Sequence, residues 1–300
     1  MNPTSTQYGA KAAGVVWPIM VLAHNEATKI VACLDSIYEA DPSKKFSIFV
    51  MANGCTDNTE DIVNAYAKDH PEVSLVSIEL PDKCNAWNVY IHEIIPSRVG
   101  GHDVYFFMDG DARACPGALS ALFEALDADT DALAAAAVPF SGRSMKRERA
   151  EILERRELVA NLYALTGKFV TQVQLAGVRL PLGLEGDDGL IGALVKWDLD
   201  PREQWDDRRI VTCANAGFTF ESMSWRRWDD WKTYWRRKVR YARRRYEFEL
   251  LGSRLKDQGI KAMPVSISQL YAHANECKLR WSGMDTLFYW LALREMGRGR

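Results

Sequence analysis

Residues 104–111 read VYFFMDGD. Five apolar residues run straight into two aspartates that flank a glycine. A short apolar run with β-branched and aromatic members predicts a buried strand over Val104–Met108. Alternate side chains of an extended segment point the same way. Asp109 and Asp111 therefore leave the strand end as a pair, which concentrates negative charge. Such a pair is costly unless a cation or solvent neutralises it. Hard divalent cations accept one or two carboxylates and complete their shell with phosphate oxygens and water. Gly110 is expected to let the backbone approach a ligand. An isolated Asp-x-Asp is also common as an exposed acidic turn, so the reading rests on what surrounds it.

The same pattern recurs upstream. Val15–Ala23, Phe46–Met51 and Val73–Leu80 read as strands, followed by helical spacings at Thr28–Tyr38, Asn58–Lys68 and Asn85–Ile95. Downstream, Pro116–Leu126 reads as a helix opened by proline, and Leu133–Phe140 as a fifth strand. Alternating strands and helices predict an α/β fold, a mostly parallel sheet flanked by helices on both faces. Ligands of such sheets bind beyond the carboxyl ends of the strands. The polar clusters His24-Asn25-Glu26, Asn53–Asp57 and Asp109–Asp111 all fall there. Met145–Leu165 reads as a charged helix, 166–186 as irregular, Asp187–Trp197 as a helix, and the chain from Ser224 as helical. The expected division is a catalytic core over 1–222 and a helical C-terminal extension over 223–300.

Four of these segments together resemble glycosyltransferase family 2. They are His24-Asn25-Glu26, the loop Asn53-Gly54-Cys55-Thr56-Asp57-Asn58-Thr59, Lys83-Cys84-Asn85-Ala86-Trp87-Asn88, and Asp109-Gly110-Asp111. Each is short, but they follow successive strands in the family's order. The resemblance covers residues 15–125 clearly and 170–245 more loosely. It implies a GT-A (Rossmann-like) fold and an inverting transferase that moves a sugar from a nucleotide-diphosphate sugar, a UDP-sugar by expectation, to an acceptor hydroxyl. It implies a divalent metal cofactor, Mn2+ or Mg2+, on Asp111 with Asp109 in support. Donor binding falls to Asn25, Glu26, Asn53, Asp57, Lys83, Asp109 and Gly110. Asn53 stands where many members carry a carboxylate, and Cys55 replaces a serine. An amide both donates and accepts hydrogen bonds, so base recognition survives the change. Thr56 or Asp57 also suits a helix cap.

A second acidic site, Asp187-Asp188, resembles the family's Glu-Asp motif. An acceptor hydroxyl needs a carboxylate within hydrogen-bond reach to take its proton. Asp188 is the expected base, Asp187 stands in the place of the glutamate, and Glu185 is the rival. The bland alternative is a helix N-terminus that favours acids. Arg237-Lys238-Val239-Arg240-Tyr241 resembles the Gln-x-x-Arg-Trp motif of processive synthases, with both ends changed. Arg240 is expected at the donor diphosphate or the acceptor. His24 is expected to line the pocket. His273 has a structural role by default, with a reach back to the metal as the alternative.

Trp225, Trp228, Trp231, Trp235, Val239, Ala242 and Tyr246 form one helical stripe, with Arg236, Arg240 and Arg243 on another side. Core packing, an anionic membrane surface and nucleic acid are the three readings. The formal net charge of -2 and the absence of a nucleic-acid fold signature speak against the last. The expected acceptor is a glycan, a glycolipid or a small molecule. Six cysteines without C-x-x-C spacing read as free thiols. No basic, apolar leader opens the chain, and no apolar run reaches ~18 residues. The expectation is a cytoplasmic protein, peripheral on the inner membrane face if the stripe binds lipid. Two rivals stand beside the transferase. A nucleotidyltransferase would carry a Gly-rich loop where His24-Asn25-Glu26 stands, and a non-catalytic nucleotide-sugar or membrane-surface module would not need both acidic sites.

Overall fold

The computed structural model of the chain describes residues 16–221 and 228–298. Val15, Ser224 and Trp225 lie outside the described residues, and so does the expected boundary at 222–223. In chain order the elements are β1 (Val16–Ala23), α1 (Ile30–Ala40), β2 (Lys45–Asn53), α2 (Thr59–Tyr66), β3 (Val73–Ile78), α3 (Lys83–Val89) and β4 (Val104–Asp109). Next come β5 (Ala112–Ala114), α4 (Ala118–Ala128), β6 (Ala134–Pro139), α5 (Met145–Arg155), β7 (Leu162–Thr166) and α6 (Gly167–Ala176). The chain continues with α7 (Asp187–Trp197), β8 (Ile210–Phe220), α8 (Trp228–Gln258) and α9 (Thr286–Arg298). α3 runs on into a π-helical segment, Tyr90–Val99, that contains Pro96.

The eight strands form one sheet in the order β3-β2-β1-β4-β7-β6-β8-β5. β3, β2, β1 and β4 run parallel, as do β6 and β8. β7 is antiparallel to β4 and β6, and β5 to β8. Trp17, Ile19, Val21, Ile48 and Val50 enter a core with Leu34 and Ile37 of α1. Met20, Phe49, Met51 and Phe107 face the other way and pack with Trp87, Tyr90 and Ile191. Both faces are buried, so the strands read as continuous apolar runs rather than alternating ones.

Two stretches depart from the sequence reading. The single helix expected over Met145–Leu165 stops after Arg155, because Arg156 turns left-handed (φ 50). Leu162–Thr166 is then a central strand, with Tyr163 opposite Phe107 and the two rings stacked at 4.8 Å. Short apolar runs do not separate helix from strand by periodicity alone. Residues 166–186, expected to be irregular, contain α6. Thr166 caps it by accepting from the Phe169 amide, and Gly177 ends it in a left-handed turn. β8 had no strand signal, since Ala214, Asn215, Ala216 and Gly217 interrupt it with poor strand formers.

Gly167 joins β7 to α6, and a Cβ there would overlap the His102 carbonyl oxygen. Gly167→Ala is therefore expected to force that junction apart and cost about 1–3 kcal/mol, as overpacked sites do. A thermal melt that matches the parent would refute this.

The C-terminal region is helical, as expected. Leu251 and Leu255 of α8 join the core beside α7. Val239, Ala242 and Tyr246 instead form a separate cluster with Tyr289, Ala292 and Met296 of α9. Core packing of the stripe thus holds for these three residues. Trp235 is exposed and meets the edge of Phe288 at a ring distance of 4.8 Å. All six cysteines are free thiols. Among the described residues no helix is long and apolar enough to cross a membrane.

Candidate active site

The carboxyl ends of β1, β2 and β4 open into a cavity of about 440 Å3. His24, Glu26, Asn53, Lys83, Asp109, Gly110, Asp111, Asp187 and Arg240 line it, with Glu185 and Gly186. The separate sequence clusters therefore converge on one place. Asn25 and Asp57 are not among its walls. Asn25 sits in a left-handed turn (φ 58), and its side-chain Oδ1 accepts from the amides of Thr56 at 2.7 Å and Asp57 at 3.2 Å. Asp57 accepts from the Thr59 and Ala27 amides at 3.1 and 3.2 Å. Its hydrogen bond from the Thr59 hydroxyl holds its carboxyl below the usual range. Of the two residues named as cap candidates neither holds the cap position of α2, which is Asn58; Asp57 lies one residue before it and takes the amide of Thr59, the first helical residue. This pair shapes the rim. Gly54 (φ 60) fits under Pro81, where a Cβ would come within 2.5 Å of the proline ring.

Gly110 lines the cavity and has a structural task besides. Its amide donates to the Leu22 carbonyl at 2.8 Å. A Cβ would stand 2.9 Å from that oxygen. The glycine lets β4 close against the end of β1, which fixes the two aspartates beside His24 and Glu26. His24 Nδ1 lies 2.7 Å from the Asn53 carbonyl oxygen, which ties the β1 and β2 ends together.

Two lysines sit among the acids. Lys29 pairs with Glu26 at 3.0 Å and lies 3.8 Å from Asp111. Lys83 pairs with Asp109 at 2.8 Å and lies 3.6 Å from Asp187. Burial alone would lower the Lys83 ammonium, but Asp109 and Asp187 hold it well above the lysine range. At Asp109 burial outweighs the lysine and the carboxyl is pushed up. The neighbouring carboxylates Asp111 and Asp188 add to the rise at Asp109, while Asp187 and Asp188 help to hold the proton on Lys83. Burial also raises Glu26, against Lys29.

Asp187 and Asp188 open α7 behind Gly186, which is left-handed (φ 89). Their surroundings differ. Asp187 is 10% exposed, faces the main cavity, and is raised by burial against the pull of Lys83. Asp188 Oδ1 accepts from the Gly189 amide at 2.8 Å and from Arg244 Nη2 at 3.0 Å. It lines a second chamber of about 220 Å3, with Ala160, Asp187, Arg240, Tyr241 and Arg244. Lys83, Asp187 and Arg240 belong to both spaces.

α8 holds this loop in place. Arg243 reaches Glu185 at 2.6 Å, and Arg240 Nε lies 3.4 Å from the same carboxylate. Glu247 is 0% exposed and accepts from the Tyr271 hydroxyl at 2.5 Å, with Arg243 at 3.4 Å. Removing one partner of a buried ion pair costs about 3–5 kcal/mol. Arg243→Met is expected at the low end of that range, since Tyr271 still serves Glu247. Chemical denaturation measures it, and a loss below about 1 kcal/mol would mean a solvated pair.

Sequence reasoning missed Lys29, Arg244 and Glu247. Lys29 follows Glu26 by three residues, and Arg244 follows Arg240 by four, spacings that place side chains together on a helix. His273 is not among the residues that line either space. It is exposed and pairs with Glu276 at 2.7 Å.

Among the described residues no group of three or more His, Cys, Asp or Glu side chains is placed to hold a metal by itself. Asp109 and Asp111 still fit a hard divalent cation. They are oxygen donors at a cavity mouth, and a site with one or two carboxylates takes the rest of its shell from phosphates and water.

The resemblance read from the strand-end clusters agrees with the family profile. The profile described as Glycosyl transferase family 2 matches residues 19–176, more than half of the chain. The chain belongs to that family. No curated protein matches it. Among solved structures, mannosyltransferase PcManGT from Pyrobaculum calidifontis, in complex with GDP-Man and Mn2+, superposes with a TM-score of 0.55. The identity is 18%, over 95% of this chain and 73% of that one. Glucosyl-3-phosphoglycerate synthase from Mycobacterium tuberculosis, in complex with Mn2+, UDP and glucosyl-3-phosphoglycerate, gives 0.50 at 18% identity. That match covers 74% of this chain and 76% of the other. At such identities the likeness establishes the shared GT-A fold.

Proposed function

We propose that this protein transfers a sugar from a nucleoside-diphosphate sugar to an acceptor hydroxyl, with inversion at the anomeric carbon. The observation that carries the reading is the convergence of Asn53, Lys83, Asp109, Asp111 and Asp187 on one cavity. Glu26 and Asn53 contact the nucleoside, on a rim shaped by Asn25 and Asp57. Lys83 and Arg240 bring positive charge to the diphosphate. Asp111, backed by Asp109, holds a divalent cation, Mn2+ or Mg2+, which when bound neutralises the charge that develops on the leaving diphosphate.

Asp187 takes the acceptor proton. The sequence motif points to Asp188, but a base needs a free carboxylate beside the reacting centre. Asp188 is engaged by Arg244 and its own helix terminus. Among the described residues no arginine pairs with Asp187, whose cation neighbour Lys83 stands at 3.6 Å, and it borders both spaces. The 220 Å3 chamber then receives the acceptor. A UDP-sugar is the assigned donor, and a GDP-sugar is the competing outcome, since PcManGT is in complex with GDP-Man. Six free thiols suit a reducing cytoplasm.

The test is a panel of UDP- and GDP-sugars with Mn2+ or Mg2+, read by thermal shift and by release of free sugar. A metal-dependent shift with slow donor hydrolysis supports the reading. No shift with any donor overturns it, and a shift without hydrolysis leaves a binding module.

A further inference from the structure

Asp82 lines the main cavity, yet both of its oxygens are engaged within the protein. Oδ1 accepts from the Asn85 amide at 2.8 Å and caps α3. Oδ2 accepts from the Gly183 amide at 2.5 Å. One carboxylate therefore joins two segments 101 positions apart. Each segment carries a group of the site. Lys83, the next residue, opens α3 and meets Asp109 at 2.8 Å. Gly183 precedes Asp187 by four residues, on the loop that delivers it to the cavity.

Upstream of Gly183 the chain is fixed twice. Leu180 exchanges two hydrogen bonds with the buried Asn88 side chain of α3, at 2.8 and 2.9 Å. Leu182 donates to the Val265 carbonyl and accepts from the Ile267 amide, both at 2.9 Å. Downstream, Glu185 is held by Arg243 and Arg240 of α8. Between and beside these anchors stand Gly183 (φ 75) and Gly186 (φ 89), both left-handed. Glycines leave the backbone its widest choice of conformation, so the local chain does not set where Asp187 points. Lys83 does not set it either, since 3.6 Å is too long for a hydrogen bond. Cys84 adds a thiol donor 3.7 Å from the Leu184 carbonyl oxygen, which is a weak one. The strong tie between the start of α3 and this loop is Asp82.

We propose that Asp82 is a positioning residue, which sets the place of Asp187 relative to Lys83 by tying Gly183 to the first turn of α3. The proposal rests on Asp187 as the base. Asp82 itself is neither base nor metal ligand, because its oxygens serve two backbone amides. The residue type follows from that double duty. Serine caps a helix about as well as aspartate, but it offers one oxygen, and a carboxylate offers two. A reacting group displaced by about 1 Å loses on the order of 10²-fold in rate, so a tie of this kind acts on turnover without touching the substrate.

Asp82→Ser in the full chain separates the two duties, since it keeps the cap and gives up the bond to Gly183. It is expected to melt with the parent and to keep the donor-induced shift. Hydrolysis of a UDP- or GDP-sugar with Mn2+, water serving as acceptor, should fall roughly ten- to a hundredfold in kcat at an unchanged KM. Asp82→Ala loses the cap as well and should melt lower, with the same loss of kcat. Hydrogen exchange gives a readout that needs no activity. The Gly183 amide should lose protection in Asp82→Ser while the Asn85 amide keeps it. Parent kcat in Asp82→Ser overturns the proposal and leaves Asp82 a helix cap. Unchanged exchange at Gly183 overturns it too, and a lost donor-induced shift would move Asp82 to donor binding. Full turnover in Asp187→Asn would instead refute the base assignment beneath the proposal, whatever Asp82→Ser does.

Discussion

Asp187→Asn is expected to leave donor binding nearly intact and to cut turnover by about 10²–10⁴-fold, the range for a lost general base. The substitution keeps the shape of the side chain and removes only its ability to hold the acceptor proton. Asp188→Asn is expected to cost less, since its carboxylate is already spent on Arg244 at 3.0 Å and the Gly189 amide. The pH profile separates a base from a structural acid. Burial raises Asp187 above the usual carboxylate range. Its protonated, inactive form therefore persists to higher pH than that of a solvated aspartate. Activity should fall as pH drops through this raised value, and the limb should vanish in Asp187→Asn. The linked effect on stability runs the opposite way with pH. A raised folded pKa means the native state holds that proton more tightly than the unfolded chain, so its contribution declines as pH rises through the folded value. If Asp188→Asn is the dead variant and Asp187→Asn keeps the acid limb, the assignment reverses.

That choice marks how far sequence reading reaches here. The four strand-end clusters were legible because each follows an apolar run, and a parallel sheet brings such ends together regardless of the loops between. Asp109 and Lys83 thus meet at 2.8 Å, although a strand and a helix start supply them 26 positions apart. The partition between Asp187 and Asp188 was not legible. It depends on Arg244, a residue 56 positions later on α8, and nothing local to the pair records which carboxylate that arginine takes. Gly110 lines the cavity, but its close approach to the end of β1 was not legible, since the register of β1 against β4 is a tertiary fact. β7 stayed hidden because Leu158, Leu162 and Leu165 also fit a helical face. What ends that helix is the left-handed Arg156, a conformation that arginine does not advertise as glycine does.

Asp111→Ala is expected to abolish the metal-dependent part of donor binding while the fold persists. Asp111 is the more exposed of the two strand-end aspartates, and its nearest basic group, Lys29, stands at 3.8 Å and is already paired with Glu26. Its removal leaves Lys29 a partner and relieves Glu26 and Asp109 of a neighbouring negative charge. The unliganded variant should therefore melt at or slightly above the parent temperature. The liganded comparison has to go the other way. A donor present at a hundredfold excess over its Kd stabilises the folded state by about 2.7 kcal/mol, a shift of about 5 °C for a chain of this size. The wild type should show that shift with Mn2+ or Mg2+ and lose most of it in excess chelator. Asp111→Ala should give the chelator value whether or not metal is added. Asp109→Asn provides the contrast, because it also strips Lys83 of its 2.8 Å partner and should disturb the unliganded melt as well. A full metal-dependent shift in Asp111→Ala, or a wild-type shift that chelator does not touch, would remove Asp111 from the metal site.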